Sequence, residues 1–172
     1  MFVFDLDACC WSPEMYELWG GGAPFTQLSD KPNNELRDSR GTTVRMLGDV
    51  AACWADLNAR MADGQPIRVG VASRSDEPSW ARECLRTFYV APGVSMMDVV
   101  TEKRCEIYKG SKQKHLDALQ RKTGIPFERM VFFDDDQYNI REVAQLGVHC
   151  FYTPRGVTRD IYERACSALG VE

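Results

Sequence analysis

Two patterns of apolar residues alternate along most of the chain. Short continuous apolar runs predict buried strands at 1–4, 67–72, 105–108, 130–133 and 148–152. Apolar residues at helical spacing predict helices at 49–64, 75–88, 111–124, 138–146 and from 158 onward. The segment 94–108 fits a helical turn followed by the strand near its end.

Continuous apolar strands that alternate with helices are typical of a parallel sheet covered on both faces. The sequence therefore predicts an α/β protein, a three-layer sandwich in which residues 1–172 form a single domain. The segment 12–47 differs, because it has no sustained period and contains turn-forming residues at 20–24 and 31–34. We expect a loop excursion there, after the first strand, with a small hairpin in 36–47.

The composition of the chain disfavours several classes of protein and several kinds of binding partner. A length of 172 residues suits one domain, at about 150 residues per domain. The net charge of −4 disfavours non-specific binding to nucleic acid or to an anionic membrane surface. No apolar run reaches the roughly 18 residues of a membrane span, and no signal-peptide pattern is present. The seven cysteines show neither zinc-site nor disulfide spacing. We expect a cytoplasmic protein with no nucleic-acid or membrane partner.

Polar residues follow the predicted strands at the points where the strands end. These residues are Asp5, Asp7, Ser73, Arg74, Lys112, Asp134 and Asp135. Because ligands bind beyond the carboxyl ends of strands in open α/β sheets, we expect these side chains to meet at one edge. Crowded carboxylates repel unless a cation lies between them, and a set of oxygen ligands favours Mg²⁺. Since a lysine and a hydroxyl bind phosphate and a carboxylate can act as a nucleophile, the set indicates phosphoryl transfer.

Four motifs resemble those of haloacid dehalogenase-like (HAD) phosphatases and stand in the same order. They are Phe4-Asp5-Leu6-Asp7, Ser73, Lys112 and Phe132-Phe133-Asp134-Asp135. A closer resemblance, from Phe4 to about His149, is to the magnesium-dependent phosphatase 1 family. It is carried by the first motif with Trp11, by Ala72-Ser73-Arg74-Ser75, by Gly110-Ser111-Lys112 and by Lys122-Thr123-Gly124-Ile125-Pro126-Phe127.

This resemblance implies a Rossmann-like HAD core with no large cap domain, in which the 12–47 excursion covers an open active site. Asp5 would be the nucleophile, and Asp7 the general acid/base, with its backbone carbonyl on the metal. Ser73 and Lys112 would bind the phosphate, and Arg74 would either join them or pair with a nearby acidic residue.

The resemblance also implies Mg²⁺ as the cofactor and a phosphomonoester as the substrate. The implied metal ligands are Asp5, Asp7, Asp134 and Asp135, with Asp135 bound directly or through water. Family members are associated with phosphotyrosine and with phosphorylated sugars or glycated amines, so the partner is a phosphorylated small molecule or a phosphoprotein. Trp11 is a candidate substrate-loop residue. The oligomeric state is left open.

Two alternative functions use the same residues. A receiver-like signalling module also combines an acidic cluster, a phospho-aspartate, a hydroxyl and a lysine, but its lysine comes last. Here Lys112 precedes Asp134 and Asp135, which favours the hydrolase. A catalytically silent binding protein is disfavoured by the complete set of motifs.

Three further expectations concern individual residues near the motifs. Cys9 stands where the family usually has threonine, so the first loop would be held less firmly, and Cys9 and Cys10 raise the possibility of an oxidisable site. Asp136 and Asn139 are expected to cap the following helix. His115 is expected to be structural.

Overall fold

The strands and helices of the chain follow the predicted alternation. The protein is described here by a computed structural model, which covers residues 1–27 and 34–171. The strands are β1 (Phe2–Phe4), β2 (Trp11–Ser12), β3 (Thr26–Gln27), β4 (Glu35–Arg37), β5 (Thr43–Met46), β6 (Val69–Ser73), β7 (Tyr89–Ala91), β8 (Val94–Ser95), β9 (Cys105–Ile107), β10 (Val131–Asp134) and β11 (His149–Tyr152). The α-helices are α1 (Val50–Ala62), α2 (Pro78–Thr87), α3 (Met96–Val100), α4 (Lys112–Thr123), α5 (Gln137–Ala144) and α6 (Arg159–Leu169).

Five parallel strands form the main sheet, in the order β11-β10-β1-β6-β9. The central strand is β1, where Phe4 pairs with Phe133 on one side and with Val71 on the other. Every residue of β1, β6 and β10 is buried, because helices cover both faces of the sheet. The strands therefore have no solvent face and read as continuous apolar runs. The predicted α/β class and parallel sheet are confirmed.

Alternate residues of the strands supply two separate cores, one on each face of the sheet. Phe2 and Phe4 belong to the larger core, which also contains the buried residues of α1, α2, α3 and α6. Val3 and Phe132 belong to the smaller core, which α4 and α5 cover. This division follows from the two-residue period of a strand, and it produces the three layers.

The excursion after β1 is more ordered than the sequence predicts. The expected hairpin is present as β4 and β5, but β2 and β3 extend it into a four-stranded antiparallel sheet in the order β2-β5-β4-β3. The interpretation as loop was therefore wrong for the residues of β2 and β3, while most of the residues between them lie outside strands. Strands of two residues are too short to show an alternating pattern. The predicted turn residues 31–33 lie outside the described residues.

Asp38 holds one end of this small sheet together. Its buried carboxylate accepts hydrogen bonds from the backbone N–H groups of Gly22, Arg40 and Thr42, at 3.0, 3.0 and 2.7 Å. Burial alone would raise the pKa of Asp38, but these hydrogen bonds to the ionised form lower it on balance. The carboxylate therefore ties the β4–β5 turn to the segment that precedes β3.

Smaller differences from the predicted elements occur around α2 and α3. Helix α2 begins at Pro78, three residues after the predicted start at 75, and Glu77 is its N-cap residue. The ambiguous segment contains α3 and β9 as expected, but β7 and β8 form a hairpin that the sequence pattern did not indicate. Ser111 and Thr158 cap α4 and α6 through their side chains, as predicted. Among the helices described, none is both long and apolar enough to cross a membrane.

Candidate active site

Three carboxylates meet where the central strands end. Asp5 follows β1, Asp134 ends β10 and Asp135 comes next, and one oxygen from each lies within 4.8 Å of the others. The neighbouring strand ends are fixed by backbone hydrogen bonds, such as that from Asp5 N–H to the Phe133 carbonyl at 3.0 Å. The parallel sheet therefore brings together residues that are about 130 positions apart in the sequence.

Lys112 joins this acidic cluster from the first turn of α4. Its ammonium group lies 2.7 Å from Asp5 Oδ1 and 3.0 Å from Asp134 Oδ2, and it donates to the Ala72 carbonyl at 2.8 Å. The side chain is 1% exposed. The neighbouring Lys109 is instead exposed and pairs with Asp76. Lys112 is therefore the lysine that lies against the two carboxylates.

Burial and mutual repulsion control the charges of the cluster. Burial raises the pKa of Asp5 to about 7, with Lys112 opposing the rise and Asp134 adding to it. Burial and the charge of Asp134 raise the pKa of Asp135 to about 6. Burial disfavours the charged form of Lys112, but Asp5 and Asp134 outweigh it and raise the pKa of the lysine. The cluster therefore holds more negative charge than one lysine can neutralise.

Asn139 was missed as a site residue. Its amide lies on the first turns of α5, is 4% exposed, and donates to both carboxylate oxygens of Asp134, at 3.1 and 3.2 Å. The backbone N–H of Asp136 also donates to Asp134 Oδ1, at 2.8 Å. Asp136 itself caps α5 by accepting from Tyr138 N–H, as expected. The expectation of a capping role for Asn139 was wrong, because residue 139 faces back toward the end of β10.

Asp7 lies two residues beyond Asp5, but its side chain has a different environment. Its Oδ1 accepts a hydrogen bond of 2.8 Å from the indole Nε1 of Trp11. Burial raises the pKa of Asp7, while hydrogen bonds from Trp11, Ser75 and the Met15 backbone oppose the rise. A raised pKa suits a group that must carry and release a proton near neutral pH.

Trp11 does not occupy the position expected of a substrate-loop residue. Its side chain is completely buried and stacks on Phe88, with the ring centroids 5.9 Å apart. The cavity above the site is lined instead by Glu14 and Tyr16 from the excursion. Neither residue belongs to a recognisable motif, so the sequence offered no sign of them.

Ser73 and Arg74 reach the same cavity from the end of β6. Ser73 is 1% exposed, and its hydroxyl accepts a 3.2 Å hydrogen bond from the backbone N–H of Ser75. The Arg74 side chain is exposed, and its Nη1 lies 3.5 Å from the Asn139 side-chain oxygen. Asp76, an acidic residue close to Arg74 in the sequence, pairs with Lys109.

The cavity has a volume of about 420 Å³ and opens to solvent. Its walls include every candidate site residue except Trp11 and the fully buried Asp134, and the full set is Asp5, Asp7, Glu14, Tyr16, Ser73, Arg74, Ser75, Asp76, Lys112, Asp135, Asp136 and Asn139. Acidic side chains dominate this lining. A bound anion therefore needs a cation beyond the two basic residues present.

The two cysteines after Asp7 are buried on the inner side of the loop. Cys9 Sγ lies 3.3 Å from the Thr153 hydroxyl, and Cys10 Sγ donates to the Asp5 carbonyl at 3.1 Å. Cys9 thus ties the first loop to the residue that follows β11. Burial raises the pKa of the Cys10 thiol, which disfavours the reactive thiolate. The position argues against the oxidisable site that the sequence suggested.

Comparison with known proteins gives the family of the chain. A family model described as Acid Phosphatase matches residues 1–169, and the chain belongs to this acid phosphatase family. It is 35% identical over 158 residues to the Magnesium-dependent phosphatase 1 of Homo sapiens, covering 90% of this chain and 78% of that protein. It is 31% identical over 150 residues to a HAD-like hydrolase superfamily protein of Schizosaccharomyces pombe, covering 85% and 80%. The resemblance stated from the motifs is confirmed.

Two solved structures share the fold at low sequence identity. One is the N-terminal part of a Bacteroides fragilis protein, containing a phosphatase domain complexed with Mg (TM-score 0.58, 17% identity). The match covers 99% of this chain but 39% of that one. The other is CbbY from Rhodobacter sphaeroides in complex with phosphate (TM-score 0.55, 16% identity), with 92% and 87% covered.

Proposed function

We propose that this protein is a Mg²⁺-dependent phosphomonoester hydrolase that works through a phosphorylated Asp5. The observation that carries the proposal is the convergence of Asp5, Asp134, Asp135 and Lys112 at the ends of the central strands. Membership of the acid phosphatase family and the similarity to a magnesium-dependent phosphatase support it.

The donor set fits Mg²⁺. Asp5, Asp134 and Asp135 offer hard carboxylate oxygens within 4.8 Å of one another, and Mg²⁺ binds such sites through carboxylates, waters and substrate phosphate. Burial, with the charge of Asp134 added, raises the pKa values of Asp5 and Asp135, and a bound cation would oppose that rise. When bound, Mg²⁺ would supply positive charge to the carboxylates and to the transferring phosphoryl group. The Asp7 side chain is held by Trp11, so Asp7 would contribute its backbone carbonyl, as the resemblance implies.

In the first proposed step the carboxylate of Asp5 attacks the phosphorus of the substrate. A bond forms between an Asp5 oxygen and phosphorus while the phosphorus–oxygen bond to the leaving group breaks. Protonated Asp7 donates its proton to the leaving oxygen, which departs as a neutral hydroxyl. Lys112 and Ser73 bind the phosphoryl oxygens, and Arg74 is placed to bind one from the solvent side.

In the second proposed step water releases the phosphate. The Asp7 carboxylate accepts a proton from water, and the water oxygen bonds to phosphorus as the bond to Asp5 breaks. Inorganic phosphate leaves, Asp5 is regenerated as a carboxylate, and Asp7 again holds a proton. Asp7 therefore acts first as an acid toward the leaving oxygen and then as a base toward water. Its carboxyl group must be within reach of both in turn.

The proposed substrates are phosphomonoesters whose leaving group extends out of the open cavity, either phosphotyrosine in a protein or a phosphorylated sugar or glycated amine. The half-exposed ring of Tyr16 at the cavity supports contact with a substrate beyond its phosphate. We also propose a cytoplasmic location, which is supported by the unpaired state of all seven cysteines.

The proposal is tested by Asp5→Asn and by removal of the metal. Asp5→Asn should lower kcat for p-nitrophenyl phosphate by about 10³-fold or more, because the amide is a poor nucleophile. Asp160→Asn, which changes an exposed carboxylate on α6, is the matched control and should retain the wild-type rate. A chelator should abolish phosphate release, and added Mg²⁺ should restore it.

Acid quenching during turnover, followed by peptide mass spectrometry, should find phosphate on Asp5. Wild-type turnover by Asp5→Asn would overturn the mechanism. The receiver-like alternative predicts a phospho-aspartate that lasts minutes to hours without multiple turnovers. A panel of phosphotyrosine peptides, sugar phosphates and nucleotides assayed with Mg²⁺ would then decide the substrate class.

A further inference from the structure

Trp11 lies against Asp7 because the chain folds sharply back between them. Ala8 has a left-handed backbone conformation (φ 60°), and its N–H donates to the Trp11 carbonyl at 2.9 Å. Alanine rarely adopts that conformation, so the turn is held by its surroundings. Trp11 then begins β2 and pairs with Met46 of β5. The small antiparallel sheet of the excursion thus fixes the backbone of Trp11.

The indole ring of Trp11 has no room to move. It is completely buried in the larger core and stacks on Phe88, which follows α2. Its Nε1 is 2.8 Å from Asp7 Oδ1. A rigid, buried donor therefore holds one oxygen of a carboxylate that lines the active-site cavity.

An indole N–H donates a hydrogen bond and cannot accept one. Asp7 Oδ1 must therefore act as an acceptor toward Trp11 in both protonation states of the carboxyl group. Hydrogen bonds from Ser75 and the Met15 backbone to the same carboxyl group add to this restraint. Together they restrict the orientation of the carboxyl group that the mechanism uses as acid and base.

We propose that Trp11 is a positioning residue, which holds Asp7 Oδ1 and so orients the carboxyl group that exchanges a proton with the leaving group and with water. This inference rests on the proposed function and extends it to a residue outside the four motifs. It also gives the 12–47 excursion a role, because β2 and β5 hold Trp11 in place.

The test is Trp11→Phe, which removes the N–H and keeps an aromatic ring on Phe88. Because the loss of orientation impairs protonation of the leaving oxygen, the effect on kcat/KM should depend on the substrate. We expect a loss of about 10-fold for an alkyl phosphate, a poor leaving group, and of less than about 3-fold for p-nitrophenyl phosphate. An equal loss for both substrates would contradict the proposal.

The chain offers a matched control in Trp54. This residue is also completely buried in the larger core, where it packs on Phe4, but its Nε1 has no hydrogen-bond partner among the described residues. Trp54→Phe therefore removes a similar volume and no hydrogen bond. Its kcat/KM should change little and equally for both substrates.

A double-mutant cycle with Asp7→Asn shows whether Trp11 acts through Asp7. In the Asp7→Asn background no carboxyl group remains to be oriented, so Trp11→Phe should cause no further loss on the alkyl phosphate. A full additional 10-fold loss would mean that Trp11 acts by another route, and the inference would fail.

If the Trp11→Phe variant does not fold, a spectroscopic measurement tests the inference instead. In the ¹⁵N-labelled protein, which has four tryptophans, the indole N–H resonance of Trp11 should shift when Asp7 is changed to Asn, and that of Trp54 should not. An unmoved Trp11 resonance would overturn the inference. Failure of the proposed function is distinguishable, since the wild-type protein would then release no phosphate from any substrate.

Discussion

Lys112 Nζ lies 2.7 Å from Asp5 Oδ1, and the pair is enclosed by protein, with the lysine 1% exposed and the aspartate side chain 11% exposed. The same ammonium group also contacts Asp134 at 3.0 Å. One buried cation thus partners two carboxylates that would otherwise repel. The arrangement costs desolvation energy, and its stability depends on both partners being present.

Replacing Lys112 should therefore destabilise the metal-free protein as well as impair phosphate binding. Lys112→Met leaves two buried carboxylates without their cation, and we expect a loss of about 3–5 kcal/mol in the free energy of unfolding at neutral pH. Urea denaturation in the presence of a chelator measures this loss. Lys114→Met, on the exposed face of the same helix, is the control and should change stability by less than about 0.5 kcal/mol. Equal stability of the two variants would contradict the buried-pair interpretation.

Asn139 should determine how tightly the site binds Mg²⁺. Its amide holds both oxygens of Asp134, so Asn139→Ala frees that carboxylate to rotate. Groups that orient a metal ligand typically contribute about 10–100-fold to metal affinity. The Mg²⁺ concentration that gives half-maximal activity should therefore be about 10–100-fold higher for Asn139→Ala than for the wild-type protein. Titration of phosphatase activity with Mg²⁺ measures it. Gln137→Ala, an exposed change on α5, should leave the Mg²⁺ requirement unaltered.

His115 should make stability sensitive to mild acid. The ring is buried, its Nε2 lies 2.9 Å from the Tyr108 carbonyl, and its Nδ1 has no partner among the described residues. Burial lowers the pKa of His115 from 6.5 to about 4. Between these pH values the unfolded chain binds a proton that the folded protein does not. The contribution of His115 to stability should therefore decrease as pH falls from about 6.5 toward 4, whereas the raised pKa values of Asp5 and Asp135 act in the opposite direction.

The acid effect is isolated by comparing the two histidines of the chain. His115→Gln, whose amide can replace Nε2, should remove this part of the pH dependence of the melting temperature. His149→Gln changes an exposed ring and should follow the wild-type curve. Identical pH curves for all three proteins would show that His115 titrates normally in the folded state.

The cysteines should be nearly inert in the folded protein. Six of the seven are buried and Cys150 is partly exposed, with burial raising its pKa to about 12. A thiol reagent such as Ellman's reagent should react slowly, at Cys150 first, and should modify all seven only after denaturation. Cys150→Ser should remove the earliest reaction. Rapid loss of activity on brief treatment with peroxide, reversed by a reductant, would restore the redox hypothesis for Cys9 and Cys10.

The motifs could be recognised from the sequence because each is a local pattern. Asp5 and Asp7 directly follow a buried apolar run, and Ser111 caps a helix in the sequence position where caps occur. Such features depend on a few neighbouring residues and on hydrophobic periodicity. Asn139 and Tyr16 have no comparable local pattern. Their place in the site follows only from how α5 and the excursion pack.

The alternation of strands and helices, the parallel sheet and the identity of the acidic and basic residues at its edge could be predicted from the amino-acid pattern. Which of these residues touch depends on the packed fold. There Lys112 bridges Asp5 and Asp134, and Trp11 turns inward to Asp7 instead of outward to substrate. The physical reason is that hydrophobic periodicity is a local pattern, and it indicates which face of a helix or strand is buried but not what packs against that face. The partner of a buried polar group is chosen by distant segments, and 2.8 Å contacts such as that from Trp11 to Asp7 exist only once those segments have packed.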